Sequence, residues 1–359
     1  MGRAASGILS TKNLIHNIEV IKSIAPSSKI IAMVKANAYG HGLRSTALKL
    51  QDQVDILGVA SIDEALALRS SGITLPILLA EGVFEQAEIP IASAERFYIV
   101  FHHKSQIEWL RNSSLPTPIN AWLKIDTGMG RLGFNLEEAG DYYDELLSSN
   151  KTLKPLKIIS HFACADTKEH PLNQEQILKF QSFIKGRDAE YSICNSAGLF
   201  NFPECHYHYV RPGISLYGGS PLSEKSAKEL GLKPVMTLQT NLISINHYKM
   251  GESIGYGARF ICPENMLVGV AAFGYGDGYP RSAQDGVPLI VRNTRCNLIG
   301  RVSMDMIAID LRNCPKASIG DPVTLWGQDL PVEEIASYSS NINYDILTGV
   351  QNRVKFFWH

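Results

Sequence analysis

What the chain lacks narrows its function before any motif is read. Cysteine is sparse: the six residues Cys164, Cys194, Cys205, Cys262, Cys296 and Cys314 are scattered through 359 positions. They show neither the paired spacing of zinc ligands nor the density of a disulfide scaffold, so a reducing cytoplasm is the expected setting. The nearest approach to a metal motif, Cys205 with His206 and His208, lacks two further ligands at usable spacing, and no metal is expected. Neither sign of charge is in excess, with 34 Lys plus Arg against 35 Asp plus Glu. That balance offers no electrostatic footprint for nucleic acid or an anionic membrane. No apolar run approaches a bilayer span, and the start "MGRAASGILSTK" holds no hydrophobic region long enough for a secretory signal. Gly2 and Ser6 fit the Met-Gly-x-x-x-Ser pattern of N-myristoylation, yet no second membrane-attracting feature accompanies them, and one acyl chain alone binds weakly. Internal repeats and low-complexity tracts are missing too. A small, locally recognised ligand remains.

What is present is a composition of 45% hydrophobic and 19% charged residues, enough for a sizeable core and about two domains. From residue 30 onward, eight short apolar runs appear: "KIIAMVK", "DILGVAS", "LPILLAEG", "RFYIVFH", "INAWLKIDTG", "LKIISHFACAD", "EYSICNSAG" and "HYVRPGISLYG". Between several of them lie stretches of helical period, "IDEALALRSSG", "KSQIEWLRNSS", "LEEAGDYYDELLSS" and "NQEQILKFQSFIKG". Eight strand-and-connection units predict an α/β fold, an eight-stranded parallel (β/α)8 barrel of the TIM type, over residues 1–230. After residue 230 the segments are strand-like and separated by turn residues, with only "PVEEIASYSS" clearly helical. Residues 231–359 therefore read as a mostly β C-terminal domain.

Unusual polar residues sit at the ends of those runs. Lys35 ends the first, Arg131 follows the fifth, His161 ends the sixth, Ser196 ends the seventh, and Arg211 with Gly213 falls in the eighth. In such a barrel the C-terminal strand ends form one mouth, so groups distant in sequence converge there. Ser196 and the backbone N–H groups near Gly213 and Ile214 supply the neutral donors of a phosphate site after strands seven and eight. A lysine approached through apolar residues is expected to be partly desolvated, which favours the neutral amine of a Schiff-base lysine. Phosphate cradle plus reactive lysine points to pyridoxal 5'-phosphate (PLP).

Eight stretches in order, "MVKANAYGHG", "KIDTGMGRLG", "SHFACAD", "NSAG", "RPGISLYG", "IGYGARF", "GYGDGYPR" and "GRVSMDMIAID", resemble the motifs of the alanine racemases. Those are PLP enzymes with a barrel followed by a β domain. The resemblance implies that Lys35 carries the cofactor and acts as one base, serving the D face. Tyr256 would serve the L face from the other subunit of a homodimer. Tyr39, Ser196, Gly213 and Ile214 would hold the phosphate, His161 would lie by the ring, and Arg211 would face its nitrogen. Arg131 and Met304 would orient the substrate carboxylate, Tyr275 and Asp305 would line the entrance, and Lys124 looks like the lysine that many members carry as a carbamate. Near the C-terminus the stretch "RVKFFWH" puts Trp358 where the family's phosphate-reaching tyrosine is expected. Ser192 stands where some members have a histidine behind the ring arginine.

The implied activity is interconversion of L-alanine and D-alanine, with D-alanine destined for cell-wall peptidoglycan. Rival readings are a racemase of broader specificity, a decarboxylase on the same scaffold, or a non-catalytic PLP carrier. A decarboxylase should carry a glycine-rich phosphate loop that this chain lacks. A carrier resembles the barrel alone, without a C-terminal domain bearing Tyr256.

Overall fold

The computed structural model describes residues 4–359. Gly2 of the acylation pattern lies outside them, and Ser6 opens a β-strand. Two eight-stranded sheets account for most of the architecture.

The first strand, β1 (Ser6–Leu9), is followed by the eight expected runs as β2 (Lys29–Met33), β3 (Ile56–Val59), β4 (Ile77–Leu79), β5 (Tyr98–Phe101), β6 (Asn120–Lys124), β7 (Leu156–Ile159), β8 (Ala189–Ser192) and β9 (Tyr209–Val210). Strands β2 to β8 pair in sequence order, each parallel to the next, and β9 pairs parallel with β2. Between β8 and β9 the ring is closed by Arg211 N–H donating to Cys194 O (2.9 Å) and Ser192 Oγ donating to Tyr209 O (2.8 Å). The runs read as continuous apolar stretches because both faces are covered: β3 and β4 are buried at every position. The four periodic stretches become helices Ile62–Arg69, Lys104–Asn112, Ala139–Ser148 and Pro171–Ile184.

The second sheet contains β10 (Met236–Tyr248), β13 (Met266–Ala271), β14 (Pro288–Val291), β15 (Thr294–Ile299), β16 (Ile307–Asp310), β17 (Pro322–Trp326) and β18 (Lys355–Trp358), with β1 inserted between β10 and β18. The strand β10 also pairs with β13, which curls the sheet back on itself. A separate ribbon, β11 (Ser253–Ile254) with β12 (Phe260–Ile261), carries Tyr256 at its turn.

Two expectations need correction. The single boundary after residue 230 does not describe β1, which lies antiparallel to β10 and parallel to β18 and so belongs to the C-terminal sheet. A four-residue strand names no partner in sequence, and this one finds its partner more than two hundred residues away. The C-terminal domain also has a second helix, Asn343–Thr348, whose backbone packs against the barrel: a side chain on Gly40 would meet Leu347 O at 2.0 Å. No described helix is long and apolar enough to cross a membrane.

The barrel's first mouth loop is buried against this junction through His41. Its Nδ1 lies 2.9 Å from Tyr39 O, its ring packs 4.6 Å from that of Tyr217, and burial lowers its pKa from 6.5 to about 4. The unfolded chain therefore binds a proton between pH 6.5 and about 4 that the folded chain does not, so stability falls as pH drops through that window and is unaffected above it. In urea titrations of the protein, His41→Gln should flatten this acid limb by about 1 kcal/mol per pH unit; an unchanged slope would refute the assignment.

Candidate active site

At the C-terminal mouth of the barrel lies a cavity of about 250 Å³, larger than the ~150 Å³ space that holds one benzene ring. Lys35, Tyr39, Lys124, Arg131, His161, Ser196, Arg211 and Gly213 all line it, joined by Glu81, Asn195 and Tyr344. The polar residues picked out along separate runs are thus brought together, as a parallel barrel requires.

The loop that carries Lys35 and Tyr39 has an unusual backbone. Ala36, Asn37, Ala38 and Tyr39 have φ between 51° and 56°, and Gly40 has φ of 80°, so the chain makes a left-handed turn. Such a turn reverses the usual direction of the side chains and is costly for residues with a Cβ. It is clamped by Glu64, whose carboxylate accepts Ala36 N–H at 2.8 Å and Ala60 N–H at 2.9 Å. Asn37 Oδ1 accepts Leu43 N–H at 2.8 Å. The Tyr39 ring then stacks on Tyr217 at 5.0 Å and leans on Tyr344 at 6.0 Å.

One end of the cavity is built for an anion. Ser196 Oγ accepts Gly213 N–H at 2.7 Å and lies 3.1 Å from Ser215 Oγ. Gly213 leaves room for the Tyr39 hydroxyl, since a Cβ there would sit 2.3 Å from it. Burial pushes the Tyr39 phenol up to about 12, which keeps its proton available to donate. Ile214 is fully buried immediately after Gly213, at the start of a one-turn 3-10 helix.

Beside this cradle Arg211 is 5% exposed and donates to Ser192 Oγ (2.6 Å), Ser160 O (2.6 Å) and Ile193 O (3.2 Å). Burial lowers its pKa to about 10, which still leaves it a cation at neutral pH. His161 Nδ1 lies 3.2 Å from Arg211 Nη2. Burial, and then the Arg211 charge, hold His161 well below the ordinary imidazole range, so it is neutral and Nδ1 accepts from the guanidinium. Lys124 is 8% exposed at the end of β6, and burial, with repulsion from Arg211 and Arg131, lowers its pKa to about 8. Arg131 is delivered by a loop wound on Asp126, whose carboxylate accepts the N–H groups of Gly128, Met129 and Gly130 at 2.8 to 2.9 Å.

Three expectations meet a different structure. Lys35 is not simply desolvated by its strand: Nζ lies 3.2 Å from Glu81 Oε1, and both side chains are about a third exposed. Trp358 does not line the cavity; its indole N–H donates to Ser45 Oγ (3.1 Å) and its ring faces Lys49. The tyrosine at the cradle is Tyr344, from the helix Asn343–Thr348. Nothing in the periodicity of "NINYDILTGV" marks it.

Tyr256, Tyr275, Met304 and Asp305 lie away from the cavity within this chain. Tyr256 is 70% exposed and Met304 54% exposed. Tyr275 and Met304 are held together because Tyr275 N–H donates to Ser303 O and Gly276 N–H to Met304 O. Arg353 ties the same loops by contacting Asp277 (2.6 Å) and Asp305 (2.5 Å).

Fold and site together define a barrel-type amino-acid racemase, an isomerase. Residues 9–221 match the alanine racemase N-terminal domain family and residues 235–358 the alanine racemase C-terminal domain family. The biosynthetic alanine racemase of Escherichia coli (strain K12) is 42% identical over 353 residues, 98% of each chain. The crystal structure of biosynthetic alanine racemase from Pseudomonas aeruginosa superposes with a TM-score of 0.97 at 40% identity over the whole of both chains. That of alanine racemase from Acinetobacter baumannii gives 0.94 at 38%, again over the whole of both chains. The chain belongs to the alanine racemase family, whose members use PLP.

The residues present fit that cofactor. A neutral donor set with a glycine that leaves room for a tyrosine hydroxyl, an amine and a buried guanidinium all line the same cavity. Gly213→Ala should therefore displace Tyr39 and weaken PLP binding at least about tenfold, because a Cβ cannot occupy a 2.3 Å contact. Equilibrium dialysis against PLP checks this; parental affinity would show that the cradle is built elsewhere.

Proposed function

We propose that the protein is a homodimeric alanine racemase that uses PLP and two bases, Lys35 and Tyr256, to interconvert L-alanine and D-alanine. The observation that carries this reading is the cavity itself: lysine, phosphate-type cradle and buried arginine converge within one chain, while Tyr256 is exposed and does not line it. When bound, PLP withdraws electrons from the amino acid's Cα and acidifies its proton.

Lys35 would hold the cofactor covalently, with Tyr39, Ser196, Gly213, Ile214 and Tyr344 around its phosphate. Arg211 would offer the ring nitrogen a cation already committed to Ser192, Ser160 and Ile193. A guanidinium has no lone pair with which to share a proton, so it does not favour protonation of the ring. The charge left on the substrate then stays closer to Cα, which favours prompt return of a proton over side reactions.

Arg131 at the cavity wall would take the substrate carboxylate, aided by the Met304 backbone of the partner, with Tyr275 and Asp305 at the entrance. Starting from L-alanine, the Tyr256 oxygen takes the Cα proton and Lys35 Nζ gives one to the opposite face; from D-alanine the roles reverse. Lys124 would hold Arg131 in place as a carbamate. With a pKa of about 8, roughly one Lys124 in ten is a free amine at pH 7. That form adds CO2 through its nitrogen lone pair and releases one proton, turning a repelling neighbour of Arg131 into an attracting one. The relatives named as biosynthetic favour supply of D-alanine for peptidoglycan.

Because each site would draw its two bases from different chains, mixing inactive variants is the sharpest test. Lys35→Ala and Tyr256→Phe should each be severely impaired alone. Dissociated together at equal amounts and reassembled, they should regain about a quarter of parental alanine racemisation, since half the dimers carry one intact site. Circular dichroism of alanine follows the reaction, and no recovery would sink the shared site.

A further inference from the structure

Glu81 follows β4 at the cavity and matches none of the residues picked out from sequence. Its carboxylate is the only one among the residues that line the cavity, where Lys35, Lys124, Arg131 and Arg211 supply four basic groups. Oε1 lies 3.2 Å from Lys35 Nζ, within hydrogen-bond reach of the reacting nitrogen.

The backbone around it is fixed from both sides. His102 Nε2 lies 3.0 Å from Glu81 O, and Gln106 Nε2 lies 3.1 Å from the same imidazole nitrogen. Gly82 follows with φ of 76°, and a Cβ there would meet Val100 O at 2.4 Å. A surface ion pair between two mobile side chains adds little. This one is anchored at a strand end and aimed at a nucleophile.

We propose that Glu81 is the proton acceptor and donor for Lys35 Nζ when that amine joins PLP or leaves it. The proposal rests on the reading above only in taking Lys35 as the reacting amine. A lysine that is an ammonium has no lone pair, so one proton must leave before the N–C bond to the aldehyde carbon can form. Glu81 takes it and returns it to the aldehyde oxygen as the carbon–oxygen π pair moves there. It takes a second from the nitrogen and returns it to the same oxygen, which departs as water while the nitrogen lone pair completes the C=N bond. Two of the three ammonium protons leave with the water, and the carboxylate ends as it began. Run backwards and stopped before its last proton transfer, the same sequence leaves the proton on Glu81 and Lys35 as the free amine that a base at the D face must be.

The test uses the full-length apoenzyme and PLP, with no amino acid present, and follows the rate at which the yellow absorbance band appears. Glu81→Gln should slow attachment about a hundredfold near pH 7, the lower limit for a positioned general acid–base. Glu81→Asp should stay within about threefold of the parental rate. In Glu81→Ala, added formate should restore the rate in proportion to its concentration, which a merely structural role would not allow. Attachment by Glu81→Gln at the parental rate, or a slow Glu81→Ala that formate does not quicken, would overturn the proposal. Failure of the racemase reading is separate: it shows as parental holoenzyme that does not interconvert the alanine enantiomers.

Discussion

Everything at the cofactor end depends on a left-handed turn that most sequences could not hold. Four residues with Cβ atoms, Ala36 to Tyr39, occupy that region, at a cost of about 4–8 kcal/mol if each pays the usual 1–2. The cost is offset locally. Glu64 takes the Ala36 N–H, Asn37 caps Leu43, and Tyr39 is packed between Tyr217 and Tyr344. Gly40, pressed against Leu347 O, closes the turn where a side chain has no room. Strain of this size persists only where surroundings over-determine it. Here the surroundings include a helix of the C-terminal domain, so the joint between the two domains is also what fixes the Tyr39 hydroxyl.

Burial also sets the electrostatics of the cavity. With Lys124, His161 and Arg211 removed from water, each pays for charge in its own way. His161 gives up its proton, Arg211 keeps its own because a guanidinium surrounded by three acceptor oxygens is compensated, and Lys124 falls to a value from which it is readily neutralised. The result is a basic chamber with one carboxylate, suited to a ligand that brings a phosphate and a carboxylate of its own.

How much of this was written in the sequence follows from how locally each feature is determined. The eight barrel strands were legible because strands buried on both faces read as apolar runs, and the lining residues were legible because a parallel barrel gathers strand ends at one mouth. Lys124 ends β6 and Arg131 follows it, so both reach the cavity by the same rule. What was not legible depends on pairing at a distance. The four residues of β1 carry no sign that they join β10 and β18 and not the barrel. Tyr344 sits on a six-residue helix too short for a periodic signal, whereas Trp358, the aromatic nearer the end of the chain, donates its indole N–H to Ser45. Glu81 lies in the run "LPILLAEG" with no motif around it, and only the Lys35 contact gives it a chemical meaning.

The two ends of the cavity are built on opposite principles. The cradle end is made wholly within one chain, from buried groups that are already bonded to one another: Ser196 with Gly213, Tyr39 against Tyr217, Arg211 with Ser192. Arg131 reaches the cavity from a loop, and Tyr256, away from the cavity, stands exposed at the turn of a two-stranded ribbon. Bases on opposite faces of one carbon cannot both belong to a single rigid wall, because the substrate has to pass between them. In the proposed dimer, a rigid cradle in one chain and a proton-transferring face from the other would satisfy both demands. On that proposal the exposure of Tyr256 and Met304 would follow from a site whose second half lies on the partner.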